Sequence, residues 1–131
     1  MSYRLNGRVA TARALTSRHD YTRQNMARLV HKDVASTTVL GKDATPGAYP
    51  RAASPGSVLG GIKVLKLMGC LTRLAAGRSI LVADVARYLG QPATIVVMRA
   101  VSAQQLNVAV VRVTCSRASP EIIAQVTIPA G

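Results

Sequence analysis

The sequence contains no phenylalanine and no tryptophan, and only four tyrosines. Any core built from it has to be aliphatic, packed from Val, Ile, Leu, Ala and Met. Acids are also scarce: five Asp and Glu stand against 17 Lys and Arg, and Glu121 is the one glutamate. Paired carboxylates for acid–base or two-metal chemistry are absent as a local motif, and neither His19 nor His31 has an acid and a nucleophile at convincing spacing. Gly60-Gly61 with Lys63 is too short for a phosphate-cradling loop. These absences exclude an enzyme, a small-molecule substrate and a cofactor from the expectation. Cys70 and Cys115 lie in apolar periodic segments with no nearby Cys or His, so they read as buried small hydrophobes and no metal site is expected. Val58–Ala76 is interrupted by Lys63, Lys66 and Arg73, which argues against a membrane span.

What is present is 49% hydrophobic residues and a formal charge of +12 in 131 residues. The length suits one modest core with an attached arm. The cationic excess points to a polyanionic partner, with nucleic acid ahead of an anionic membrane surface, because neutralised phosphates release counterions and yield sequence-independent affinity. Thirteen of the cations are Arg, which grips phosphate or guanine bidentately.

Residues 1–55 read as a basic N-terminal arm with a short helix and a Pro/Gly-rich linker, and residues 56–131 as the folded domain. The arm spaces Arg4, Arg8, Arg13 and Arg18 among small residues; its Arg and Ser without acids resemble a transit peptide as well. Asp20 to Lys32 sets Met26, Leu29 and Val30 at helical spacing behind Asp20 as N-cap. Thr37 to Leu40 suits a short strand, and Gly41 to Gly56 is the linker. Nine cations against three acids precede the boundary and eight against two follow it, so both parts carry +6.

Beyond Ser57, a reasonable N-cap, Val64, Leu67, Met68, Leu71, Leu74 and Ala75 form a helical stripe that Gly77 ends. Gly60, Gly61 and Gly69 weaken this helix, so tertiary packing must hold it or let another backbone come close. Ile80 to Val101 then looks like two helices around the turn Gly90-Gln91-Pro92, with Gly90 at positive φ. Val108 to Ser116 and Glu121 to Ile128 alternate as two strands joined by Arg117 to Pro120.

On the segments LVADVARYLG and PATIVVMRAV with an Arg-containing hairpin, residues 57–128 resemble the winged helix-turn-helix domain of bacterial and phage regulators. The resemblance implies a mainly α fold with a C-terminal β-hairpin. It also implies a recognition helix in the major groove, with Gln91 toward adenine, Thr94 toward phosphate or a thymine methyl, and Arg99 toward guanine or phosphate. Arg117 would sit at the wing tip, and Arg87, Arg4, Arg8 and Arg13 would add affinity. TIVVM is also rich in β-branched residues, so an α+β architecture resembling the Alba-type chromatin proteins is the alternative.

The expected function is a non-enzymatic DNA-binding protein, a small transcriptional regulator or a phage or plasmid accessory factor in the cytoplasm of a bacterial or phage-infected cell. DNA or RNA is the partner, homo-oligomerisation is open, and no membrane is involved. The alternative is a structural or assembly subunit of a ribonucleoprotein, capsid or filament.

Overall fold

The computed structural model describes residues 2–5, 8–43, 58–59 and 62–130. In chain order the elements are β1 (Ser2–Leu5), β2 (Arg8–Thr11), β3 (Arg13–Tyr21), α1 (Met26–Asp43), β4 (Val58–Leu59), β5 (Ile62–Lys63), α2 (Val64–Ala75), β6 (Ile80–Tyr88), β7 (Gln91–Arg99), β8 (Gln105–Arg112) and β9 (Ile122–Pro129). Five of the strands form one sheet in the order β3-β6-β7-β8-β9, while β1 pairs with β2 and β4 with β5. β3 runs parallel to β6, and each later strand is antiparallel to the one before it.

The sheet is covered on both sides. Successive side chains on a strand point to opposite faces, and the core divides accordingly. One face brings Ala83, Val85, Val96, Met98, Ala109 and Val111 against Leu67, Cys70, Leu71 and Ala75 of α2. The other brings Val82, Ala86, Ile95, Val97, Val108 and Val110 against Met26, Leu29 and Val30 of α1. The result is a three-layer α/β/α arrangement. Leu67, Leu71, Ile95, Val96 and Val97 are 0% exposed, and each such side chain stabilises the fold by about 1.5–3 kcal/mol.

This architecture overturns the mainly α winged helix-turn-helix. Ile80 to Val101 is the β6–β7 hairpin, paired from Ile80↔Met98 to Tyr88↔Gln91. Central strands buried on both faces read as near-continuous apolar runs, and a run such as ILVADVA satisfies helical spacing as easily as strand spacing. The β-branched content of TIVVM was the better guide. Gly90 does adopt positive φ (80°), as does Leu89 (50°). Two consecutive positive φ values make the tight type I′ turn whose twist matches a hairpin, not a helix terminus.

The Alba-like order fails as well, because Thr37 to Leu40 lies inside α1 and not in a strand. Helix α1 starts at Met26 rather than behind Asp20. Its true start is fixed by a reciprocal cap: the Thr22 amide donates to Asn25 Oδ1 (2.7 Å) and the Asn25 amide to Thr22 Oγ1 (3.3 Å). Asp20 instead receives the Gly90 amide (2.8 Å) and so ties the end of β3 to the hairpin turn. Arg13 and Arg18, expected in a loose arm, belong to β3. Most of the expected linker and its neighbour Ser57 lie outside the described residues.

The expectations for α2 and the last two strands fit better. The stripe from Leu67 to Ala75 is buried as expected, and the helix ends at Ala75 with Ala76 and Gly77 at positive φ. Strands β8 and β9 pair from Gln105↔Pro129 to Val111↔Ile122. Their connection is longer than the expected four-residue tip, since β8 stops at Arg112.

Candidate functional site

Among the described side chains two acids lie in the core: Asp33 is 5% and Asp84 0% exposed. Asp33 follows Met26, Leu29 and Val30 at the i+7 position of α1's apolar stripe, so helical geometry turns it toward the sheet. Asp84 occupies β6 between Val82 and Ala86 on the same face. Tyr21, fully buried at the end of β3, places its hydroxyl between them. It lies 2.6 Å from Asp84 Oδ2 and in hydrogen-bond contact with Asp33 Oδ2. Ser17 donates to Asp84 Oδ2 (2.8 Å). His19 Nδ1 stands 3.4 Å from the Tyr21 hydroxyl and 3.7 Å from a carboxylate oxygen of each aspartate. Asp84 Oδ1 is buried with no hydrogen-bond partner.

Alternation along β3 builds one side of this cluster, because Ser17, His19 and Tyr21 share a strand face at two-residue spacing. Burial dominates its electrostatics. Burial first, and then the adjacent Asp84, push the Asp33 carboxyl up to about 7, against the pull of the Tyr21 hydroxyl and Lys32. Burial and the two carboxylates likewise hold the Tyr21 phenol far above its ordinary 10, so it stays protonated. One ligand atom from each of His19, Asp33 and Asp84 falls within a 4.8 Å span. The Tyr21 hydroxyl, however, fills the point between the two carboxyls, and an ion would have to displace it. The arrangement as folded is two buried carboxyls bridged by one phenol hydroxyl.

None of the candidate binding residues singled out from the sequence belongs to this cluster, whereas His19, set aside for want of an acid and a nucleophile at convincing spacing, does. Arg87 is exposed on β6 and Gln91 exposed at the start of β7. Thr94 is 0% exposed within β7, paired with Val85 and Val111. Arg99 is exposed at the end of β7, and Arg13 opens β3. Arg4 and Arg8 lie on β1 and β2, whose side chains are outside the described residues. Arg117 sits on the β8–β9 connection over α2, where a Cβ added at Gly69 would come within 3.3 Å of the Arg117 Cβ. Gly69 is thus the point of close backbone approach that the glycine suggested. Sequence reasoning missed Asp33 and Asp84 because they are 51 positions apart; the available signal was a lone acid on an apolar helical stripe and another inside an apolar run.

Beside Gly69, Cys70 of α2 and Cys115 of the β8–β9 connection form a disulfide, with both residues fully buried and Cα atoms 5.7 Å apart. The cysteines are buried as expected, yet paired; a separation of 45 residues hides such a partnership from spacing. Structural disulfides persist in oxidising compartments.

No curated protein and no solved structure matches the chain. Residues 27–128 match a family model described as "Anti-sigma factor RsmA, C-terminal extracellular domain". This match overturns the reading of a DNA-binding transcriptional regulator of the winged-helix type. A cytoplasmic location, DNA or RNA as the partner, and the exclusion of a membrane fall with it, since the family is an extracellular domain of an anti-sigma factor. Among the described residues no helix is long and apolar enough to cross a membrane. The chain belongs to the family of anti-sigma factor RsmA C-terminal extracellular domains.

Proposed function

We propose that this chain is the extracytoplasmic signal-input domain of a membrane-anchored regulator whose other parts hold a sigma factor. The observation that carries the reading is the family match over residues 27–128. The Cys70–Cys115 bridge supports it, because a buried disulfide suits a domain that folds outside the reducing cytosol. The charge of +12 suits a domain held near an anionic membrane surface.

The domain works by changing shape and not by catalysis. In the buried cluster the Ser17 hydroxyl donates to Asp84 Oδ2 (2.8 Å) and accepts from the His19 backbone amide (3.3 Å), so it is engaged in holding the fold and not paired with an imidazole base. The experiment has two readouts: an alkaline phosphatase fused after Gly131, and a sigma-dependent promoter reporter in cells making the regulator with and without residues 27–128. The reading expects an active phosphatase and a changed reporter response. An inactive phosphatase, or a reporter indifferent to loss of the domain, overturns it.

A further inference from the structure

We propose that Asp33, Tyr21 and Asp84 form a proton-operated latch: one proton shared between the two carboxyls seats α1 on the sheet, and its loss releases the helix. The Tyr21 hydroxyl has one proton to give and two carboxyl oxygens in hydrogen-bond contact. If both aspartates were ionised, one of those contacts would set two lone-pair oxygens against each other. Ser17 already donates to Asp84, so the arrangement that satisfies these three contacts protonates Asp33. Asp33 then donates to the Tyr21 oxygen, and Tyr21 donates to Asp84. A chain of this kind polarises cooperatively in a low-dielectric interior, and removing its proton leaves two buried negative charges in contact.

Facing Asp33 are Tyr21 and His19 from β3, Asp84 from β6, and Lys32 beside it on α1, which is exposed. β7 and β8 present Ala93, Ile95, Val97, Val108 and Val110 on this face.

The element that yields is α1. Tyr21 and Asp84 are held in adjacent ladders, with Tyr21↔Tyr88 and Leu15↔Asp84 in the β3–β6 register and Asp84↔Ile95 on the other side. Asp33 rides on a helix held to this face by Met26, Leu29 and Val30 and by the bond between His31 Nε2 and the Pro129 carbonyl (2.6 Å). Repulsion at Asp33 is therefore relieved by moving the helix away from the sheet.

The latch itself stands on this geometry; its use as a signal rests on the function proposed above. The test is a carboxyl ¹³C titration of the whole chain by NMR, with hydrogen-exchange protection of α1 amides followed from pH 5 to 8 and corrected for intrinsic exchange. One aspartate should titrate near neutrality, and α1 opening should rise about a hundredfold across that range. In Asp33→Asn, which keeps the shape and loses the charge, opening should not vary with pH; Asp20→Asn, at the surface, should behave as wild type. Two ordinary aspartate titrations in wild type, or equal pH dependence in wild type and Asp33→Asn, would overturn the latch. If the latch titrates but the sigma-dependent reporter ignores external pH equally in wild type and Asp33→Asn, the signalling use falls and the latch remains.

Discussion

Removing the Cys70–Cys115 bridge is the perturbation whose size can be worked most directly. The bridge closes 45 residues of chain, from α2 through three strands to the β8–β9 connection. In the chain-entropy account, a loop of that length restricts the unfolded ensemble enough to stabilise the fold by about 4 kcal/mol. Domains of this size have roughly 5–15 kcal/mol in total, so the loss is a large fraction of what is there. With about 2.1 cal/mol/K of unfolding entropy per residue, a 131-residue chain should lose roughly 15 °C in melting midpoint. The assay is calorimetry on the oxidised protein, the same protein with dithiothreitol, and Cys70→Ala/Cys115→Ala. The double variant should melt close to the reduced protein and be blind to reductant. A wild-type midpoint that dithiothreitol moves by less than about 3 °C, or two free thiols by mass spectrometry in protein matured outside the cytosol, would refute the reasoning.

Three other perturbations have expected signs. The Asp33 midpoint lies above its ordinary 3.8, at about 7. The stability it contributes is therefore fully present below pH 4 and lost as pH rises to about 7, by up to about 4 kcal/mol. Urea unfolding of Asp33→Asn should lack that decline and exceed wild type above pH 7. Thr94 is buried with its hydroxyl unpartnered, so Thr94→Val should hold stability or raise it by about 1 kcal/mol in denaturant titration. At Gly90 an added Cβ meets nothing within 4 Å, yet φ is +80°; Gly90→Ala should cost about 1 kcal/mol through the backbone alone, read as a lower midpoint with an unchanged slope.

Some of the molecule is legible along the chain because it depends on neighbours a few residues apart. The apolar stripe of α2, its end at Gly77, the positive φ at Gly90 and the alternation in β8 and β9 are local, and local steric and periodic rules reveal them. Ile80 to Val101 is different. Its apolar residues are dense because both sheet faces are covered, and that coverage comes from α1 and α2, far away in sequence. The same letters would suit a buried helix, and nothing local decides between them.

The candidate site lies wholly on the tertiary side of that division. An aliphatic core, a strong excess of cations and the scarcity of acids follow from composition alone, whatever the fold. That Asp33 and Asp84 meet across the hydroxyl of Tyr21, and that Cys70 and Cys115 bond, depends on how the distant elements pack. The physical reason is the range of the interactions involved. A hydrogen bond or a disulfide requires atoms within a few ångströms, and a parallel crossover from β3 to β6 brings together residues that no spacing rule relates.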